Sequence, residues 1–212
     1  MTKQYKYQQL KASFSAYGSW ALWNVDNQVQ HQLPIHHQDL DIAHIRHQLD
    51  TQPAYLEHNI CFDAIFVGLN WATSGNASNQ PWETFHDHTH SKNTAGKAAR
   101  ILLPSKFRGC YMTDLVKNHC ETDGTNVVSA LKKPVKCDIL KQNIDIFMTE
   151  LRIINPKLLI LSGRQVADLY QFAVDTFHLT NMPRTIQIPH YSSSLSYQDC
   201  NNLAQLLNKQ IV

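Results

Sequence analysis

From about residue 60 onward, short apolar runs alternate with stripes of helical spacing. The organising run is Phe62-Asp63-Ala64-Ile65-Phe66-Val67-Gly68-Leu69, which stops near a glycine and delivers Asn70 and Trp71 into a polar stretch. A continuous apolar run ended by a turn signal is the pattern of a central parallel strand, buried on both faces. Three further runs have this form. Cys110–Thr113 leads to Asp114, Lys157–Leu161 leads to Ser162-Gly163, and 184–188 leads to Pro189-His190-Tyr191-Ser192-Ser193. Helices are predicted between them. Ala95, Ala98, Ala99 and Leu102 share a face before Pro104; Leu140, Ile144, Phe147 and Leu151 form a longer stripe that Asn155-Pro156 ends; a third helix covers about 164–177. Ser196-x-x-Asp199 is a capping-box start for a last helix with the stripe Cys200, Leu203, Ala204 and Leu207.

The first 58 residues read as helical. Leu10, Phe14 and Tyr17 share a face within about 5–22, with Gly18 as terminator or kink; Asp39 or Asp41 can cap a second helix carrying Ile42, Ile45 and Leu49, which Pro53 closes. Residues 71–93 and 117–137 read as loops. The expected architecture is one domain over 1–212, with a helical part at 1–58 packed on an α/β core at 60–210. That core is a three-layer α/β/α arrangement around a four-stranded parallel sheet. Right-handed crossovers put all strand exits on one edge, where Asn70, Asp114, Ser162 and His190 would meet. Ligands of open α/β sheets collect there.

Composition narrows this picture only a little. The chain has 212 residues, 43% of them hydrophobic, which supports one sizeable core. Its net charge of +2 permits local contact with nucleic acid without implying it. No apolar run approaches the roughly 18 residues of a membrane span, and no signal-peptide core follows the start; a cytoplasmic location is expected. The five cysteines, at 61, 110, 120, 137 and 200, are widely spaced and include no C-x-x-C pair. Reduced thiols are therefore expected, without a zinc ribbon or iron–sulfur cluster.

The polar strand exits carry a resemblance. Val67-Gly68-Leu69-Asn70 resembles the first motif of the uracil-DNA glycosylase superfamily, and His190-Tyr191-Ser192-Ser193 resembles its last. Tyr111 to Lys117 is similar to the family strand that ends in a base-reading residue, and Leu158 to Val166 to its third strand and the helix after it. The likeness spans about residues 60–210. It implies a protein that flips a damaged base out of DNA and hydrolyses its glycosidic bond. On that resemblance Asn70 positions the attacking water and His190 donates a hydrogen bond to the departing base. Gly68, Leu69, Trp71, Phe85 and Asp114 contact the base, with Phe85 or Trp71 stacking and Asp114 reading its edge. Ser192 and Ser193 grip a DNA phosphate. The implied partner is DNA, bound by a monomer, and no cofactor is implied. Three positions depart from the family pattern: Trp71 and Tyr191 stand where it has proline, and Asp114 where it has asparagine.

Other readings remain. The same fold could hold a nucleotide or nucleic acid without catalysis. His86-Asp87-His88-Thr89-His90 has alternate histidines that could bind a divalent metal, although a solvated His-rich loop is the expected reading and no metal is assigned. Lys92, Lys97, Arg100, Lys106, Arg108, Lys117, Lys132, Lys133 and Lys136 cluster in sequence over 91–108 and 117–136 and are the expected phosphate contacts.

Overall fold

The computed structural model describes residues 1–25, 41–70, 80–86, 95–117, 119, 121 and 123–211. Among them are five strands: β1 (Gly18–Trp20), β2 (Cys61–Asn70), β3 (Cys110–Val116), β4 (Leu158–Ser162) and β5 (Arg184–Ile188). Eight α-helices accompany them: α1 (Lys3–Phe14), α2 (Ala43–Thr51), α3 (Pro53–Asn59), α4 (Ala95–Leu102), α5 (Gly124–Leu131), α6 (Cys137–Ile154), α7 (Arg164–Thr176) and α8 (Tyr197–Asn208). None of the described helices is long and apolar enough to cross a membrane.

The strands form one sheet in the order β1-β3-β2-β4-β5. β2, β3, β4 and β5 run parallel, while β1 lies antiparallel along β3, with Gly18 opposite Thr113 and Trp20 opposite Tyr111. The sheet is thus five-stranded and mostly parallel rather than four-stranded and wholly parallel. The helical expectation for 5–22 holds only to Phe14, because the three residues after the turn pair with β3. Trp20 then sinks into an aromatic cluster with Tyr7, Trp82 and Tyr111, at ring-centroid separations of 5.3–5.8 Å. The stretch 117–137, expected as a loop, contains α5, capped by Asp123, whose side chain accepts from the backbone N–H of Thr125.

Side-chain alternation splits the core in two. Ile65, Val67, Leu69, Tyr111, Leu115, Leu159 and Leu161 face one side, against α1, α2, α3, α5, α6 and α7. Ala64, Phe66, Cys110, Met112, Leu158, Ile160 and Ile188 face the other, against α4 and α8. Helices therefore cover both faces, as the alternation of elements predicts.

At the end of β3 the six-helix side holds a buried ion pair. Lys117 Nζ lies 2.8 Å from Glu150 Oε2, with both side chains inaccessible to solvent. Tyr111 and Thr113 donate to Glu150 Oε1 at 2.8 and 3.0 Å, and the Lys117 backbone N–H donates to Asn143 Oδ1 at 2.6 Å. These bonds clamp α6 onto β3. Removing one partner of a buried pair strands the other charge and costs about 3–5 kcal/mol. Glu150→Ala should lower unfolding free energy by about that amount in urea denaturation; a loss below about 1 kcal/mol would show that the clamp is not a stability element.

Candidate functional site

Gly68 and Asp114 are opposite each other in the β2–β3 register. Their side of the sheet faces α4 and α8. A Cβ on Gly68 would stand 2.2 Å from Asp114 Oδ1 and 3.2 Å from the Phe85 ring, so the glycine makes room for both groups. Asp114 lies within β3 rather than at its end, and only 5% of its surface is exposed. Burial pushes its carboxyl up to about 7; the Lys117 ammonium pulls it down and the Glu150 carboxylate adds to the rise.

Phe85 and Tyr191 complete an aromatic wall on this face. Phe66 meets Phe85 edge-on at 6.0 Å and Tyr191 at 6.1 Å, and Phe85 and Tyr191 are 6.3 Å apart. Phe85 sits in the left-handed region at φ 69°, a conformation that a bulky residue adopts only when its surroundings impose it. The segment is held by the buried Trp82, whose N–H donates to Ser15 O and whose indole N–H donates to Tyr7 Oη. Burial raises the Tyr191 phenol, and the nearby Asp114 carboxyl raises it further.

His190 follows β5 and stacks on Tyr191 with ring centroids 4.4 Å apart. Its other side rests on Gly163, at the start of α7, where a Cβ would come within 3.2 Å of His190 Cβ. Gly163 adopts φ 107°, so glycine serves here for backbone shape as well as for space. The Ser192 backbone N–H donates to His190 Nδ1 at 3.1 Å. In the neutral ring that bond leaves the proton on Nε2. Burial lowers the pKa of His190, which favours that neutral form. Ser192 Oγ also bonds Nδ1, at 2.6 Å, and Ser193 Oγ donates to His190 O at 2.6 Å. Both serines are exposed, and Lys97 of α4 donates to Ser193 O at 2.7 Å.

Asn70 ends β2. Its Nδ2 donates to His119 O at 3.2 Å and to Glu121 O at 2.7 Å, which orients the amide and leaves Oδ1 as its accepting side. Leu69 points to the opposite face, where its Cδ2 lies 2.9 Å from where a Gly124 Cβ would be. It therefore packs in the core beside α5 and does not join the Gly68 group. Ser162, at the β4 exit, is buried, and its hydroxyl has no partner among the described residues.

The expected site residues thus divide. Gly68, Phe85 and Asp114 converge on one face, joined there by Tyr191, which was not among them, and His190 stacks on Tyr191. Asn70 is anchored at the same edge, and Trp71 lies outside the described residues. His86 turns inward: it is buried beside Trp23 at 5.1 Å, with Nε2 3.2 Å from Trp20 O, so it does not present itself to a metal. Asp87, His88 and His90 lie outside the described residues, among which no group of three or more His, Cys, Asp or Glu could hold a metal ion. The basic stretch does not form one patch. Lys97 reaches the His190 loop, Arg100 is buried with its guanidinium 3.9 Å from the Tyr197 ring centroid, and Lys117 is in the ion pair with Glu150. Lys106 and Arg108 precede β3 and so lie at the opposite edge of the sheet, while Lys92 is outside the described residues. The role of Tyr191 was hidden in the sequence; its position where the resembled pattern has proline was the signal. No protein-family model and no curated protein matches this chain.

The Asp114 carboxyl makes stability depend on pH in a defined direction. Its folded pKa lies above the roughly 3.9 of an unfolded aspartate, so its proton-linked stability is complete below pH 4 and is lost as pH rises through about 7. The stability of Asp114→Asn relative to wild type should therefore rise between pH 4 and 7 and then level, by on the order of 2–4 kcal/mol. Urea midpoints of the two proteins across pH 4–8 measure this, and a constant difference would mean that Asp114 is not desolvated.

Proposed function

We propose that this protein acts on nucleic acid as a DNA N-glycosylase of the kind its motifs resemble, working as a monomer on a base flipped into the Gly68–Asp114 face. The observation that carries the reading is the convergence of Gly68, Phe85 and Asp114 with a His190 whose Nδ1 receives a backbone N–H. Such a ring is a neutral Nε2–H donor, and a departing base anion needs a fixed donor as its glycosidic bond breaks. Asn70 Oδ1, on an amide held by two carbonyls, would accept a hydrogen bond from the attacking water. Phe85 would stack on the base, Asp114 would read its edge, and the exposed Ser192 and Ser193 would meet a phosphate with Lys97 beside them. His190→Ala and Asn70→Ala should each lower single-turnover excision at least about 100-fold with unchanged melting temperature. Full excision by either variant would remove that residue from the mechanism.

A second reading, binding without cleavage, is favoured by one feature. The Tyr191 ring stands against Phe66 and Phe85 on the face where a base would lie. Saturable binding of a damaged oligonucleotide without strand-specific base release would decide for it.

Asp114 sets the base preference on the first reading. Uracil presents an N–H donor beside a carbonyl acceptor. A protonated carboxyl matches both, whereas an ionised one only accepts and faces the carbonyl with like polarity. Mispairing of a buried group costs on the order of 1–3 kcal/mol, or one to two decades in rate. With a carboxyl titrating near 7, wild-type cutting of uracil in single-stranded DNA should fall as pH rises from 6 to 8. Asp114→Asn, which does not titrate, should hold its rate and exceed wild type at pH 8. Efficient wild-type excision at pH 8 that Asp114→Asn reduces would refute this role.

A further inference from the structure

The sheet has a second edge, where β2 and β3 begin. There a cavity of about 430 Å³ opens between α1, the end of α3 and the turn before β3. Its volume is within the range of small-molecule sites, roughly 300–1,000 Å³. The lining includes Lys3, Lys6, Phe62, Asp63, Lys106 and Arg108. Four of these six carry positive charge and one is a carboxylate, and Asp63 is already paired with Lys157 at 2.9 Å.

The lysines are fixed by neutral acceptors. Lys3 Nζ donates to Glu57 O and Ile60 O, both at 2.6 Å. Lys6 Nζ donates to Ile154 O at 2.7 Å and lies 5.0 Å from the centre of the Phe62 ring. Lys106 Nζ donates to Gln210 O. The carbonyls that hold Lys3 and Lys6 lie at the C-terminal ends of α3 and α6, whose partial negative charge offsets part of an ammonium's charge but not all of it. Each ammonium has three N–H groups, so with respect to the described residues Lys3 retains one and Lys6 and Lys106 two each. The result, among the described residues, is a set of oriented cations in which Asp63, which also acts on Lys6, is the one carboxylate of the lining.

We propose that this cavity is a binding site for a small anion bearing two or more linked phosphate groups, separate from the strand-exit site. Cations reach this cavity from α1 and from the turn before β3, and a di- or triphosphate chain presents several charged oxygens to such a set. β2 alone spans ten residues between the two sites, roughly 30 Å at 3.3 Å per residue. The assignment does not depend on the glycosylase reading.

The test is isothermal titration of the full chain with inorganic tripolyphosphate in low-salt buffer without divalent metal. One saturable site is expected. Lys106→Gln and Lys3→Gln should each weaken it at least fivefold, and the use of two variants from different elements guards against a folding defect in one. Asp63→Asn should tighten binding severalfold, a gain that loss of a purely structural contact would not produce. His190→Ala should bind as wild type does. Absence of saturable heat, unchanged affinity in both lysine variants, weaker binding by Asp63→Asn, or loss of binding in His190→Ala would each overturn the proposal. So would displacement of tripolyphosphate by a short single-stranded oligonucleotide, which would make the cavity part of a nucleic-acid track.

Discussion

One ammonium serves two buried carboxyls at the end of β3, and much of the architecture follows from that imbalance. Lys117 lies against Glu150, which also accepts hydrogen bonds from Tyr111 and Thr113. Glu150 thus has two hydroxyl donors at Oε1 and the ammonium beside Oε2. Asp114 has the attraction of Lys117 only at longer reach, while the Lys117 ammonium donates to the Asp114 backbone carbonyl rather than to its carboxyl. Burial without such close partners raises the Asp114 pKa. The clamp that fixes α6 to β3 on one face of the sheet therefore leaves a titrating carboxyl on the other. The same device serves stability and supplies the reactive character of the candidate site.

Gly68 makes that carboxyl possible. A parallel strand buried on both faces would ordinarily place a side chain opposite Asp114. Any Cβ there would collide with the carboxyl oxygen. Removing the side chain opens a slot one residue wide, and Phe85 reaches into it from a backbone held in the left-handed region. Strain of this kind persists where the surroundings over-determine it, and here the buried Trp82 and its bonds to Ser15 and Tyr7 do so.

The parallel strands and the later helices were legible because their signals are local. Apolar runs, the Asn155-Pro156 stop and the Ser196–Asp199 capping box act within a few residues, and the capping box forms as read. β1 was not legible. Three residues carry too little alternation to outweigh the helical stripe before them, and their strand character comes from pairing with β3, some 90 residues away in the chain. Long-range facts failed for the same reason. Lys117 and Glu150 give no sign of each other in the sequence. Lys106 and Arg108 are near Lys97 in sequence, yet α4 carries the chain from the strand exits back to the strand starts. The basic cluster divides accordingly between the two edges of the sheet.

Tyr191 decides how the candidate site can be used. Its ring and that of Phe85 are 6.3 Å apart and inclined at 63°. A planar base held between them would need a carbon contact distance of roughly 3.5–4.0 Å on each side, so the wall does not admit it as it stands. A base lying over Gly68 therefore requires one ring to swing away. Phe85 is tied to a strained and buried segment, whereas Tyr191 belongs to a loop whose following serines are exposed. Tyr191 is the ring that can move at lower cost. Because it stacks on His190, its displacement would also uncover that imidazole, the group which the proposed glycosylase reading sets against the departing base. A proline at this position could neither fill the slot nor couple its opening to His190, and in that respect the departure from the resembled pattern changes how the site operates as well as how stiff its loop is.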